Sequence, residues 1–338
     1  MGKYENICRK PWEELVVYSD CQYSVCCGGL PVGKIEKPED VDNLWNNKIV
    51  KRYRENLKKG KLEGICKDCV FAKLRNISYV EEERDVCDFS KIPILSPNPK
   101  IISFGPTEKC NLKCFMCGFT EKYAGRNRMK DAESLPADIL ERIGERYFNG
   151  LEQLNTNCFG EIFLYEHLNL LLELIKKSKI GYVYSSTNGS LNLSEEKWSE
   201  IMETHHQMNF SVDSTDRDVH KIVRGFDMDK VFENLEIIKR LKETEFPNFV
   251  LSFSMVIMKI TMHDMFNLVR TAHEEWGAEV VSFQHLWNLD HQKLCFEKEW
   301  RSFYNNQLRK IEEYLKTYPG VKLNDALGYF RDDEGNIE

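Results

Sequence analysis

TEKCNLKCFMCGF (residues 107–119) sets three cysteines, Cys110, Cys114 and Cys117, three and then two residues apart, with no histidine or fourth cysteine close by. A tetrahedral zinc site or a fully ligated iron–sulfur cluster takes four protein ligands. Three thiolates on a four-iron cluster leave one iron without a protein ligand. A metal with such an unfilled position binds substrate or cofactor, whereas a closed site is structural. Taken alone, the triplet also fits a zinc or a structural cluster completed by a remote cysteine.

Working outward, the triplet follows KIISF (residues 100–104), the first of a series of β-rich runs. The others are LEQLNT (151–156), YVYSST (182–187), QMNFSVD (207–213), NFVLSFSMV (248–256) and AEVVSFQ (278–284). Helical patterns lie between them. Leu168, Leu171, Leu172 and Ile175 share one helical face, and Val231, Leu235 and Ile238 share another behind a candidate cap at Asp229. Strands alternating with helices predict an α/β fold with a parallel sheet and helices outside. Eight alternations would predict a closed barrel; the six here predict an open, partial (β/α)6 TIM-like barrel over residues 100–290. In such barrels the loops at the carboxyl ends of the strands build the active site, and the triplet sits in the first of them. Residues 297–319 read as one long helix within a carboxyl-terminal segment, 291–338, that ends in a polar tail.

On the other side of the triplet, residues 1–90 are cysteine-rich and short of long periodic segments, as expected of a small domain held by metal. KIPILSPNPK (residues 91–100) carries three prolines, so residues 91–99 are expected to form an extended linker. Twelve cysteines are too many to be incidental, and in a reducing compartment they serve as metal ligands or catalytic thiols before disulfides. They are clumped. Cys8, Cys21, Cys26, Cys27, Cys66, Cys69 and Cys87 precede the triplet, and only Cys158 and Cys295 follow it, which suggests two metal centres.

The formal net charge of −7 argues against nonspecific binding to nucleic acid, which relies on basic surface. The basic run KIVKRYRENLKKGK (residues 48–61) is read as a solvated helix face. No apolar run approaches the roughly 20 residues of a membrane span, and the amino terminus lacks a secretory signal, so a cytoplasmic location is expected. Only seven residues precede Cys8, too few for a domain that binds a peptide leader, and DDEGNIE is an abrupt end that suits part of a longer protein.

CNLKCFMC after a strand resembles the radical S-adenosylmethionine (SAM) superfamily. There the open iron of a [4Fe-4S] cluster is chelated by SAM, which is cleaved reductively to a 5′-deoxyadenosyl radical that abstracts a hydrogen atom from substrate. Further landmarks occur in order. NCFGEIFL (157–164) resembles the Gly-Gly-Glu-Pro turn, with Gly160 and Glu161 matched and Phe159 and Ile162 departing; the glutamate position contacts the SAM amino group. STNGS (186–190) resembles the Thr-Asn-Gly turn and includes Asn188, although Asn-Gly also forms ordinary turns. The resemblance further implies SAM contacts by Ser211 and Asp213 in FSVDS, by Arg224 in HKIVRGF, and by the backbone of Met116.

The amino-terminal segment resembles the SPASM type of auxiliary iron–sulfur domain, with a first cysteine, a turn, a further cysteine, an LWN helix and a CxxC. The matched ligands are Cys8, Cys26, Cys66 and Cys69, which would close a second [4Fe-4S] cluster. Cys21 stands where the pattern usually has glycine, and the module, usually found after the radical domain, here precedes it. Cys21, Cys27 and Cys87 remain alternative ligands, and a four-cysteine zinc knuckle is the plainer alternative.

Among lone residues, Cys158 is a candidate hydrogen-atom donor beside the Glu161 turn, and His285 a candidate in the substrate pocket; each also has an ordinary structural reading. Met255, Met258, Met262 and Met265 are read as core packing. The resemblance implies a flavodoxin- or ferredoxin-type electron donor, anaerobic activity, and radical modification of a peptide or protein by crosslinking, oxidation or epimerisation. The alternatives are a sugar, an aminoglycoside or a nucleotide-linked small molecule as substrate, and a noncatalytic metal-binding scaffold.

Overall fold

The structure is a computed structural model that describes residues 8–26, 28–59, 61, 66, 93–119, 129–156, 159–284, 286, 298–325, 328–330 and 337. The chain divides into two compact units, residues 1–108 with 133–183, and residues 109–132 with 184–338.

The first unit runs through α1 (Lys10–Glu13), β1 (Glu14–Tyr18), β2 (Gln22–Ser24), β3 (Pro31–Lys34), α2 (Lys48–Lys58), β4 (Ile101–Gly105), α3 (Ala137–Ile143), β5 (Gln153–Asn155) and α4 (Leu168–Lys177). β1 pairs antiparallel with β2 and parallel with β4, in register from Glu14 opposite Ile101 to Tyr18 opposite Gly105. β2 pairs antiparallel with β3, and β4 parallel with β5. β1 thus joins β4 in one sheet within this unit. Leu15, Val16 and Val17 are all buried, so β1 has apolar side chains on both faces and needs cover on both. Leu15, Val17, Val32 and Trp45 share one core with Ile102, Phe104, Ile139 and Leu154.

The proline-rich connection is hydrogen-bonded to that unit. Trp12 Nε1 donates to the Pro93 carbonyl at 2.9 Å, Asn46 Nδ2 to the Ser96 carbonyl at 2.8 Å, and Ser96 Oγ to the Trp12 carbonyl at 3.2 Å. The basic run also departs from expectation. Its helix α2 is capped by Asn47, whose side chain accepts from Ile49 N and Val50 N. Arg54, on that helix, is fully buried rather than solvated.

The second unit takes in β6 (Tyr182–Thr187) from Tyr184 onward, then α5 (Glu195–Thr204), β7 (Gln207–Ser211), α6 (Arg217–Arg224), α7 (Asp229–Thr244), β8 (Val250–Val256), α8 (Met265–Glu274), β9 (Val280–Gln284), α9 (Lys298–Thr317) and β10 (Lys322–Asp325). β6, β7, β8, β9 and β10 pair in that order, all parallel. The six runs anticipated from sequence all form strands. β10 is an addition: KLND is short and polar and carries no β pattern. The cap of α7 falls on Met228, with Asp229 as the first helical residue. All four methionines between 255 and 265 are buried, as core residues. No helix among the described residues is long and apolar enough to cross a membrane.

Candidate active site

The cysteine loop belongs to the second unit and is tied down at three points. The Phe115 amide donates to the Val223 carbonyl at 3.0 Å, near the end of α6. The Cys117 amide donates to the Cys114 carbonyl at 3.1 Å, which folds the loop into a turn. Asn188, just past β6, reaches Cys110 Sγ at 3.9 Å and Asn111 Oδ1 at 3.1 Å through Nδ2.

Asn188 is held by its own turn. Its Oδ1 accepts from the Ser190 amide at 2.8 Å, and Asn111 Nδ2 donates to Ser190 Oγ at 2.7 Å. Gly189 follows with φ of 69°, the left-handed region that favours glycine. So the Asn-Gly pair is both a turn former and a strut for the first cysteine.

Cys114 is the deepest of the three sulfurs. Met116, Leu112, Val223, Met258 and Leu286 pack with it, and Cys110 and Cys117 lie against the same cluster. Burial pushes the Cys114 thiol up to about 11, against the pull of Arg224 and with the help of Asp213, Cys110 and Cys117. Such a thiol ionises at neutral pH only when a metal displaces its proton.

Behind Cys114 stands a buried ion pair. Asp213, just beyond β7, is fully buried; Oδ1 accepts from the Val256 amide at 2.7 Å, and Oδ2 accepts from Arg224 Nε. Burial works against the Arg224 charge, but Asp213 and the Cys114 sulfur outweigh it and hold the guanidinium above its ordinary value. Gly225, with φ of 82°, ends α6 at that point. Ser211 is half-buried at the end of β7.

Three residues that bear on this site carried no sequence signal. Asn111 braces the Asn188 turn. Asp264 accepts from Ser214 Oγ at 2.8 Å and from the Thr215 amide and hydroxyl, which fixes the loop just after Asp213. His220, on α6, is fully buried with no hydrogen-bond partner at either ring nitrogen. Its relevance comes from tertiary placement alone.

In the first unit, Glu161 is buried and accepts from the Phe163 amide at 3.4 Å, capping a short helical turn beyond β5. Gly160 precedes it, and Phe159, in the place of a glycine, stacks on Tyr18 with centroids 5.6 Å apart. Among the auxiliary cysteines, Cys26 is buried and its sulfur accepts from the Leu30 amide at 3.4 Å. Burial raises its thiol, and Cys8 is near enough to add to the effect. Cys66 lines a narrow pocket with Leu30, Tyr53 and Leu57. Cys21 takes the turn conformation, φ 66°, expected of the glycine it replaces, and its side chain belongs to the hydrophobic core. Cys27, Cys69, Cys87, Cys158 and His285 lie outside the described residues.

The Cys110, Cys114 and Cys117 thiols, packed against one cluster of side chains, suit an iron–sulfur group. No three His, Cys, Asp or Glu side chains converge on a single-ion site among the described residues. A cluster makes no such demand, because each thiolate binds a different iron.

A profile described as "Radical SAM superfamily" matches residues 105–272, and one described as "Iron-sulfur cluster-binding domain", SPASM, matches residues 8–70. The chain belongs to the radical SAM superfamily. The superfamily assignment brings with it a [4Fe-4S] cluster and SAM, and the SPASM module brings further iron–sulfur binding at the amino terminus. No curated protein matches the enzyme at the level of sequence. Its fold is similar to that of Streptococcus suis SuiB bound to precursor peptide SuiA, at 15% identity and a TM-score of 0.52, over 87% of this chain and 66% of that one. SuiB bound to S-adenosylmethionine gives the same values. Native anSMEcpe with bound AdoMet is similar at 20% identity and a TM-score of 0.51, over 67% of this chain and 63% of that one. The enzyme thus spans a little under two thirds of the length of these solved proteins.

Proposed function

We propose that this radical SAM enzyme modifies a peptide or protein side chain, by crosslinking, oxidation or epimerisation. The observation that carries the chemistry is the loop of Cys110, Cys114 and Cys117, which packs three thiols, with no fourth among the described residues, against one buried cluster of side chains. A cluster held by these thiols, with SAM bound beside it, would supply the radical chemistry that takes a hydrogen atom from the substrate. The residues of the chain do the rest. Asn188 steadies the Cys110 end of the loop, and the α6 end steadies the Cys114 end. Asp213 orients Arg224; Glu161 and Gly160 would receive the SAM amino group, Ser211 would contact the cofactor, and the Met116 backbone would lie near the adenine. Cys158, as a hydrogen-atom donor, and His285, as a substrate-pocket residue, are the further candidates, both outside the described residues.

Cys8, Cys26, Cys66 and Cys69 hold the auxiliary cluster, whose closed coordination favours electron transfer over substrate ligation. A one-electron carrier of the flavodoxin or ferredoxin type would reduce the enzyme in the cytoplasm. The peptide class is supported by the SPASM module and by the likeness to SuiB, whose solved complex contains a precursor peptide.

The test is iron and sulfide quantitation with EPR on anaerobically reconstituted protein, wild type against the triple variant Cys110→Ala, Cys114→Ala, Cys117→Ala. About eight irons falling to about four, with loss of a SAM-perturbed signal, is the expected result. About four irons in the wild type, still responsive to SAM, would remove the auxiliary cluster. No effect of SAM on any signal would remove the catalytic reading.

A further inference from the structure

The Arg224 guanidinium is tied to one cysteine sulfur more closely than to any open space. Cys114 Sγ lies 4.0 Å from Arg224 Nη1 and 3.8 Å from the Arg224 carbonyl oxygen. The charge has nowhere to swing: the Arg224 side chain is 11% exposed and that of Asp213 is 0% exposed. Asp213 takes Nε with one oxygen and is itself fixed by the Val256 amide through the other. That leaves Nη1 facing the sulfur. The loop and the helix end are joined next door by the Phe115 to Val223 hydrogen bond.

The two contacts to Cys114 respond in opposite ways to metal binding. As a thiol, Cys114 donates to the Arg224 carbonyl. As a metal-bound thiolate it has no proton to donate, and the guanidinium N–H to sulfur contact becomes charge-assisted. Hydrogen bonds to cluster sulfurs and nearby positive charge favour the reduced, more negative cluster.

We propose that Arg224 is a positioning residue for the catalytic cluster, donating to the Cys114 sulfur from a place set by Asp213 and raising the cluster's reduction potential before SAM arrives. This rests on the reading of Cys110, Cys114 and Cys117 as cluster ligands. It is separate from a contact between Arg224 and the SAM carboxylate, because it acts in the absence of SAM.

The experiment compares wild type, Arg224→Gln and Arg224→Lys as full-length, anaerobically reconstituted proteins. Iron content, the SAM-free midpoint potential by EPR-monitored titration, and the Kd for SAM are each measured. The expected result is a SAM-free potential lower in Arg224→Gln than in wild type, with Arg224→Lys between them. The auxiliary cluster's potential stays fixed and serves as the internal reference. An unchanged SAM-free potential and EPR spectrum in Arg224→Gln, with only the Kd raised, would overturn the proposal and leave Arg224 a cofactor ligand. Should Arg224→Gln load no cluster, Arg224→Lys decides: a potential equal to wild type overturns the proposal, a lower one supports it. Absence of a SAM-responsive cluster from the wild type would instead remove the functional reading beneath it.

Discussion

At the scale of single residues, Cys21 and Cys26 show how two neighbouring thiols are given different surroundings. Cys21 holds a left-handed backbone, φ 66°, which costs a residue with a Cβ about 1–2 kcal/mol, and its side chain is packed into the core. Cys26 receives an amide hydrogen bond from Leu30 and feels Cys8. Cys26→Ser is therefore expected to lower iron by about four atoms per chain, and Cys21→Ala to leave iron unchanged. An iron and sulfide assay on the two variants separates them, and loss of iron from Cys21→Ala would make Cys21 a ligand after all. Gly189 gives a second test. A Cβ there would lie 2.9 Å from Phe210 Cδ1 and 3.3 Å from Val231 Cγ2, on a backbone with φ of 69°. Gly189→Ala is expected to destabilise by roughly 1–3 kcal/mol. It should also weaken the Asn188 strut to Cys110, which a lower urea midpoint together with poorer cluster loading would reveal.

At the scale of elements, α2 is organised around one buried charge. Arg54 donates from Nε to the Pro11 carbonyl at 2.8 Å and from Nη1 to Asn46 Oδ1 at 2.7 Å and the Ile94 carbonyl at 3.0 Å. Nη2 reaches the Trp45 carbonyl at 3.0 Å, and the guanidinium lies 4.7 Å from the Trp45 ring centroid. Burial lowers its pKa to about 10, still far above neutrality. Arg54→Met would strand those acceptors and cost roughly 3–5 kcal/mol in urea unfolding. Arg52→Met on the exposed face of the same helix should stay within about 0.5 kcal/mol. If the two variants unfold alike, the buried network contributes nothing. This is also where sequence reading reached its limit. The six core strands were legible because their β-rich runs stood between helical periods, and the cysteine loop because its spacing is chemical. Arg54 was not, since a basic residue within a basic run gives no sign of which member turns inward. β1 was not, because whether an apolar run pairs with a strand some 85 residues later is settled by packing. Asp264 and His220 were illegible for the same reason.

At the scale of the whole molecule, the chain carries a net charge of −7 at neutral pH, yet two of its histidines are kept neutral inside the second unit. Burial lowers His205 to about 4 from an ordinary 6.5, against a hydrogen bond to the Ile201 carbonyl that favours the charged ring. Burial also lowers His220 to about 4; Arg224 adds to that, and Asp213 opposes it. Both pKa values are lower in the native state than in the unfolded one, so below about pH 6.5 the unfolded chain binds protons that the native one refuses. The stabilisation is present in full above pH 6.5 and is lost as pH falls towards 4, on the order of 3 kcal/mol per histidine when complete. Against a typical total of about 5–15 kcal/mol, that is enough to make the enzyme acid-sensitive. His220 makes the sharper test, because its ring nitrogens have no hydrogen-bond partner and it meets the Phe226 ring in a T-shaped contact, 5.1 Å between centroids. His220→Leu removes two unpartnered polar atoms at nearly constant volume. Its urea midpoint is expected to equal or exceed that of wild type at pH 7.5 and to fall less by pH 5. Parallel losses in the two proteins would mean that His220 already carries its proton, or reaches water, in the native state.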